Sequence, residues 1–405
     1  MFYSLHTLSN GIRLLHVPAA GPVVYCGFVV NAGSRDEQPD EQGMAHFVEH
    51  MLFKGTEHRR SSQVIGRLEA FGGQLDAYTT KDATFVYATV PLQKAECATE
   101  LLGDIVLHST FPEAELEHER GVVLEEIQLY NDTPSEQIFD DFDNMLFSGS
   151  SLGHNILGNE QSLADINSER MRAFVRRCYT TDNLLFFMLG SVDEKKFLHW
   201  AERYFGVTAT HRTFERIAPS VYQPETKVQS RDTYQTHFVV GNRTCSLLHD
   251  DSFALRLLNN ILGGPNMSSR LNMAVRERCG LAYTIDSTLS LYPDTGSWCV
   301  YFGCDHENEK RCIRLINNEL QKLIDTPLTP RQLQRAKCQY DGQMLIENEN
   351  RENLILAMAN SILKTGVFLS DEQMHDRIAA VTAEKLQHLA AELFPAERCT
   401  TLIYR

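Results

Sequence analysis

The sequence contains no long uninterrupted apolar segment. None of its stretches approaches about 18 consecutive apolar residues, the length needed to span a bilayer. The first 17 residues also lack the succession of basic, apolar and small residues that marks a secretory signal. We therefore expect a protein that is neither secreted nor inserted in a membrane.

The sequence also lacks any closely spaced pair of cysteines. Its ten cysteines are scattered, and no two have the two-residue spacing of a zinc knuckle or a redox motif. Scattered cysteines are typical of buried free thiols in a reducing compartment. This pattern predicts a cytoplasmic protein.

An excess of positive charge is absent as well. The chain has 38 Lys and Arg residues against 53 Asp and Glu residues, which gives a formal net charge of −15. A general nucleic-acid binder needs surplus cations to displace counterions from phosphates, so we expect no nucleic-acid partner. The acidic surface either aids solubility or attracts basic peptides.

What the sequence does contain is enough apolar material for two domains, with an order of elements that repeats. Of the 405 residues, 43% are hydrophobic. In the first half, a strand pair within 74–91 precedes two long helical patterns within 93–130. In the second half, a strand pair within 281–304 also precedes long helical patterns. We therefore predict a duplicated α+β unit, with domains at 1–212 and 231–405 joined by a linker at 213–230.

The most informative motif is H-x-x-E-H, formed by His46, Glu49 and His50 within a helical pattern. The two histidines are four residues apart, so their side chains share one helical face and can chelate a single ion. Glu49 lies beside the ion and is suited to act as the general base for an activated water. Zinc fits a site of two imidazoles and one carboxylate, because the fourth position stays open for catalysis.

A third ligand is expected from a carboxylate on another helix. The pattern at 113–130 offers Glu119, Glu125 and Glu126. Glu119 and Glu126 are seven residues apart and share an apolar stripe, where a carboxylate needs a metal or a hydrogen-bonded histidine as its partner. Glu125 points about 100° away and is expected to face solvent.

Taken together, the segments 46–56 and 119–126 resemble the pitrilysin (M16) family of inverted-zincin metallopeptidases, and the resemblance extends over nearly the whole chain. It implies that His46, His50 and Glu126 are the zinc ligands and that Glu49 is the base. It also implies that Glu119 supports the ligand shell. The implied fold consists of duplicated α+β domains that form half of a clamshell, with one zinc ion per chain.

The second half carries a further match to the family, at 270–283. The resemblance implies that Arg276 and Tyr283 bind substrate and stabilise the oxyanion of the tetrahedral intermediate. A cation and a phenol are both suitable donors to developing negative charge. Two chains are then expected to enclose the substrate, with a homodimer as the simplest assembly. In such a dimer we expect Arg276 and Tyr283 to approach the zinc of the other chain.

The resemblance further implies that an edge strand binds the peptide substrate as an added strand. The matching residues are Leu75, Asp76, Ala77, Tyr78 and Thr79. Asp76 stands where relatives often have asparagine. Its carboxylate either favours basic substrate residues or faces solvent.

These observations predict a zinc endopeptidase that cleaves unstructured peptides in an enclosed chamber. The alternatives are a non-catalytic scaffold and a processing subunit that acts only with a different partner chain. The intact set of His46, Glu49, His50 and Glu126 favours the active enzyme.

Overall fold

The computed structural model describes residues 2–405, and its strands form two sheets. The strands, in chain order, are β1 (Ser4–Thr7), β2 (Arg13–Pro18), β3 (Val23–Val30), β4 (Gln74–Thr79), β5 (Thr84–Pro91), β6 (Leu184–Gly190), β7 (Thr226–Gln229), β8 (Thr236–Thr244), β9 (Ala282–Leu291), β10 (Gly296–Cys304) and β11 (Thr400–Tyr404). The strand pairs expected from the sequence are therefore present in both halves.

Helices cover the sheets. They are α1 (Met44–Leu52), α2 (Ser61–Glu69), α3 (Ala95–His108), α4 (Glu113–Asn131), α5 (Pro134–Leu146), α6 (Glu160–Ala164), α7 (Ser168–Cys178), α8 (Glu194–Tyr204), α9 (Ser252–Gly263), α10 (Glu309–Asp325), α11 (Pro330–Glu347), α12 (Arg351–Thr365), α13 (Asp371–Ala379) and α14 (Ala383–Leu393). In the described part of the chain, none of them has both the length and the apolar character needed to cross a bilayer.

The two sheets share one pattern of strand pairing. The first has the order β1-β2-β6-β3-β5-β4 and the second the order β7-β11-β8-β10-β9. In each, one parallel pair (β2 with β6, β7 with β11) is followed by three antiparallel pairs. This repetition confirms the predicted duplicated α+β fold, and it places β4 and β9 at equivalent edges.

Each sheet is covered by helices on both faces. β6 is buried along its whole length, which explains its uninterrupted apolar sequence Leu-Leu-Phe-Phe-Met-Leu-Gly. One face of the first sheet packs against the core that contains α1 and α3, and the other face packs against α12.

The compact units differ from the contiguous domains that the sequence predicted. The first unit comprises residues up to Leu129, His154–Ile217 and Glu347–Phe368, and the second comprises the remaining segments. The segment with α12 thus belongs to the first unit, and the segment with α5 to the second. The reason is burial, because the apolar sides of α12 and α5 each cover a sheet face that would otherwise meet water.

Candidate metal centre

The helix that carries the two histidines begins at a constrained point. Its N-cap, Gly43, has a φ of 85°, and a Cβ there would lie 2.6 Å from the carbonyl oxygen of Leu157. The carboxylate of Glu37 accepts hydrogen bonds from the backbone N–H groups of Gly43 and Ala45, at 3.2 and 2.9 Å. A carboxyl oxygen at a helix N-terminus satisfies backbone N–H groups that have no partner within the helix. Glu37 therefore fixes where α1 starts.

His46 and His50 point from α1 toward Glu126 on α4. The two Nε2 atoms are 3.2 Å apart, and each lies 3.6 Å from the same Glu126 carboxylate oxygen. Tetrahedral zinc with bonds of 2.0–2.1 Å would hold neighbouring ligand atoms about 3.3 Å apart. The three atoms therefore fit one zinc ion. Within residues 2–405, no other set of three histidine, cysteine or carboxylate side chains converges in this way.

The protonation of the histidines also suits a metal. Burial, followed by the influence of His50, lowers the pKa of His46 to about 4, so its imidazole is neutral at physiological pH. Its Nδ1 is buried and has no hydrogen-bond partner within residues 2–405, so Nε2 is the nitrogen that faces the other donors. Burial alone would lower the pKa of His50, but hydrogen bonds with Glu126 and Glu119 outweigh it and raise that pKa. The carboxylates that raise the pKa of His50 also favour a bound cation at the same place.

A second carboxylate, that of Glu119, contacts the His50 ring nitrogen that faces away from the candidate metal position. Oε1 of Glu119 lies 2.9 Å from Nδ1 of His50, and Oε2 of Glu119 lies 2.5 Å from Nζ of Lys54. Glu119 is 6% exposed, so its charge requires these partners. A hydrogen bond at Nδ1 selects the tautomer in which Nε2 is free to coordinate. Glu119 is thus placed to support a ligand.

Glu49 lies next to the three candidate metal-binding side chains and forms a hydrogen bond that does not involve them. The hydroxyl of Thr79 donates to Oε2 of Glu49 at 2.7 Å. Burial raises the pKa of Glu49 above its ordinary value, and the hydrogen bond from Thr79 opposes this shift. A carboxylate with a raised pKa is a better proton acceptor, which suits a general base.

The edge strand β4 borders an open cleft of about 320 Å³ beside this cluster. Leu75 and Ala77 pack toward the helices, whereas Asp76 and Tyr78 lie on the opposite face of the strand. The apolar residues of the cleft include Phe53, Ile65, Leu75 and Ala77. The cleft thus offers an apolar surface next to Glu49 and an unpaired strand edge.

Arg276 and Tyr283 belong to the second unit, where they lie close to each other. Arg276 is in the π-helical segment Asn272–Glu277, and its guanidinium carbon is 5.6 Å from the ring centroid of Tyr283. Tyr283, on β9, is 81% exposed. Tyr283 is therefore accessible to a ligand, and the side chain of Arg276 is partly exposed.

The structure brings most of the predicted residues of the first unit together. The histidines, Glu126, Glu119 and Glu49 form one cluster, and Glu125 is exposed. Sequence reasoning did not find the contact of Lys54 with Glu119 or that of Thr79 with Glu49. Lys54 lies two residues beyond the end of α1, so helical spacing gave no signal for its contact with Glu119. The Thr79 contact had no local signal, because it joins two elements 30 residues apart.

Family models match both halves of the chain. Residues 15–160 match the model described as "Insulinase (Peptidase family M16)". Residues 165–340 match the model described as "Peptidase M16 inactive domain". The first match contains the whole histidine and carboxylate cluster, and the second contains Arg276 and Tyr283.

Curated proteins of similar length match nearly the entire chain. The uncharacterized zinc protease YmxG of Bacillus subtilis is 31% identical over 400 residues, which covers 98% of this chain and 97% of that protein. The uncharacterized zinc protease Rv2782c of Mycobacterium tuberculosis is 32% identical over 396 residues, which covers 96% of this chain and 90% of that protein. The similarity thus includes both units.

Solved structures share the fold at lower identity. A protease from Helicobacter pylori superposes with a TM-score of 0.91 at 20% identity, covering 100% of this chain and 99% of that one. A Pseudomonas fluorescens structure described as a peptidase M16 inactive domain also gives a TM-score of 0.91, at 18% identity, covering 100% and 98%. At these identities the comparison shows the fold alone.

Proposed function

Because this chain belongs to the M16 family of peptidases, we propose that it is a zinc-dependent endopeptidase that hydrolyses unstructured peptides. The observation that carries this proposal is the convergence of His46, His50 and Glu126 at tetrahedral spacing, with Glu49 beside them. A scaffold that had lost catalysis would have no need to retain both the ligand set and the base.

The chain's own residues account for most of the chemistry. When bound, zinc supplies a Lewis acid that polarises water and the scissile carbonyl. Glu49 accepts the proton of the attacking water and later delivers it to the leaving amine. Its hydrogen bond with Thr79 leaves the second carboxylate oxygen available for this transfer. Glu119 keeps His50 in the tautomer that presents Nε2.

The substrate class follows from the edge of the first sheet. β4 is the last strand of that sheet and has one unpaired edge. An extended peptide can add to such an edge through main-chain hydrogen bonds, which requires an unfolded segment and depends little on side chains. Arg276 and Tyr283, as neighbouring donors on the second unit, are proposed to steady the oxyanion.

The proposed assembly is a homodimer that encloses the peptide, since one chain carries both the metal cluster and the donor pair. We place it in a reducing compartment, the cytoplasm. All ten cysteines are free in residues 2–405, which supports that location.

A second candidate function, a non-catalytic or partner-dependent subunit, is favoured by one observation. The second half matches a model described as an inactive domain. That half lacks H-x-x-E-H, so the match is equally consistent with one metal site per chain. Purified protein with no partner added separates the two functions, because only the self-sufficient enzyme would cleave peptides alone.

The test uses the zinc-loaded protein and a library of flexible peptides analysed by mass spectrometry. We expect cleavage that a chelator abolishes and added zinc restores. Glu49→Gln should retain zinc and lose turnover by several powers of ten, because only the base is removed. Normal cleavage by Glu49→Gln would contradict the mechanism. Cleavage that appears only after a second, different chain is added would favour the partner-dependent subunit.

A further inference from the structure

The free edge of β4 is partly occupied by one of its own side chains. The backbone N–H of Thr80 donates to the carbonyl of Ala83 at the hairpin that joins β4 to β5. Antiparallel pairing alternates along a strand, so the N–H groups of Tyr78 and Asp76 face β5 and that of Ala77 faces the open edge. The Ala77 N–H is therefore a donor available to an added strand.

In the structure, this donor is already bonded. Oδ1 of Asp76 accepts the Ala77 N–H at 2.8 Å. The hydroxyl of Tyr87, directly across from Asp76 on β5, lies 3.4 Å from Oδ2. The carboxylate of Asp76 thus takes the position that a peptide carbonyl would occupy when it pairs with Ala77.

The surroundings of Asp76 add negative charge. Glu352 of α12 accepts a hydrogen bond from Thr89 at 2.9 Å, on the same outer face of the sheet. Burial, followed by the negative charges of Asp76 and Glu352, raises the pKa of Tyr87. The neighbouring cation Arg351 is directed to the carbonyl of Ala20, at 2.6 Å. Within residues 2–405, no cation contacts the Asp76 carboxylate.

We propose that Asp76 is a displaceable cap on the Ala77 N–H that selects peptides with Lys or Arg opposite it. This inference rests on the proposed function, since it assumes that the peptide adds to β4. A peptide carbonyl must compete with a charged acceptor for the same donor. Opposed side chains on adjacent strands lie about 5 Å apart, so a basic residue across from Asp76 pairs with the displaced carboxylate. A neutral residue there leaves the cap without a new partner.

A cap and an ordinary ion pair predict different peptide affinities after Asp76 is removed. If Asp76 only attracted cations, removing it would weaken binding of basic peptides and leave neutral ones unchanged. If Asp76 also blocks the edge donor, removing it strengthens the binding of neutral peptides. The affinity for a neutral peptide is therefore the decisive measurement.

The experiment uses zinc-loaded Glu49→Gln protein and labelled ten-residue peptides that carry lysine or norleucine at one scanned position. Dissociation constants come from fluorescence anisotropy. The Glu49→Gln protein, which is the parent of the variants below, should bind the lysine peptide about fivefold more tightly than the norleucine peptide at one position. This is the effect expected for a partly exposed charge-assisted contact. Adding Asp76→Ala should tighten norleucine-peptide binding by about fivefold and abolish the preference. Asp76→Asn, which keeps a weaker acceptor, should fall between the two.

Glu352→Gln is the matched control, because it removes a nearby charge without freeing the Ala77 N–H. It should leave norleucine-peptide affinity within about twofold of the parent. Unchanged norleucine-peptide affinity in both Asp76→Ala and Asp76→Asn would overturn the inference, as would equal affinity of the parent for both peptides at every position.

The outcomes separate the inference from the proposed function. Binding with these preferences, together with an absence of cleavage by zinc-loaded protein with Glu49 intact, would overturn the hydrolysis and support the cap. Cleavage that is insensitive to Asp76 would support the hydrolysis and overturn the cap. Peptides that are neither bound nor cleaved would overturn both.

Discussion

The hydroxyl of Thr79 donates to Oε2 of Glu49 at 2.7 Å, which ties the last residue of the edge strand to the proposed base. Glu49 is on α1 and Thr79 on β4, so this hydrogen bond joins the element that carries the proposed base to the element proposed to hold the substrate. It fixes one carboxylate oxygen and thereby the direction of the other.

We predict that Thr79→Val lowers kcat by about tenfold, because it removes a hydrogen bond to a charged group while keeping the shape of the side chain. KM and zinc content should change little. Thr79→Ser should restore most of the rate, since serine supplies the same donor. Steady-state kinetics and metal analysis provide the measurements. An equal loss of rate in both variants would argue for a packing role instead.

The three proposed ligands should each be needed to retain zinc. His46→Ala, His50→Ala and Glu126→Gln should each lower the zinc content of the purified protein, because two remaining protein ligands hold the ion weakly. Glu125→Gln is the control, since that side chain is exposed on the adjacent helical position. The ligand assignment would be wrong if Glu125→Gln lost the metal and Glu126→Gln kept it.

Glu119 and Lys54 should act on the metal through His50. We expect Glu119→Gln to weaken zinc affinity by about 10 to 100-fold, the usual range for a residue that orients a ligand. Lys54→Met should have a smaller effect in the same direction, because it removes the counter-charge of Glu119. Competition with a zinc-binding dye measures both. Lys54→Arg retains the charge and should behave like the parent; a Lys54→Arg defect as large as that of Lys54→Met would exclude a role based on charge.

Asp104 of α3 should stabilise the turn that follows α1, the helix with the two proposed histidine ligands. Its carboxylate accepts hydrogen bonds from Thr56 at 2.8 Å and Arg59 at 2.5 Å, and lies 2.6 Å from Nδ1 of His58. Asp104→Asn should lower the free energy of unfolding by about 2 kcal/mol. Glu100→Gln, which alters a more exposed partner of Arg59, should cost less than about 1 kcal/mol. Denaturant unfolding at neutral pH distinguishes the two.

The Asp104 contribution should also depend on pH. Burial by itself would raise the pKa of Asp104, but hydrogen bonds from its partners outweigh it and lower that pKa below the ordinary value. A depressed pKa stabilises the folded state above the unfolded-state pKa of about 3.9 and ceases to do so as pH falls through the folded-state value. The difference in unfolding free energy between wild type and Asp104→Asn should therefore be full at pH 7 and shrink below about pH 4. A difference that is constant across this range would contradict the assignment.

The proposed dimer can be tested by complementation. Glu49→Gln chains are mixed with chains that carry both Arg276→Ala and Tyr283→Phe, after each is shown to be inactive alone. If the donor pair serves the partner's metal site, one of the two sites in each mixed dimer is intact, so a mixed dimer should regain at most about half of wild-type activity. If the pair serves its own chain, every site keeps one defect and activity stays absent, which would exclude action across the dimer.

The sequence by itself determined the local chemistry and the order of elements. The spacing of His46 and His50 is a property of the helix, so their shared face needs no tertiary information. The same holds for the common stripe of Glu119 and Glu126. The predicted strand pairs and long helices lie close to those of the structure, because each has a periodicity of its own. The resemblance at the metal motif then pointed to the family, which the full-length relatives confirm.

Only the tertiary structure decided which distant groups meet. It assigned α12 to the first sheet and α5 to the second, because uncovered sheet faces are buried by whichever apolar helix can reach them. It also placed Thr79 against Glu49 and turned the Asp76 carboxylate onto the Ala77 N–H. These contacts depend on the register of β4 against β5 and on where α1 packs against β4. Neither relation is encoded in the periodicity of a single segment.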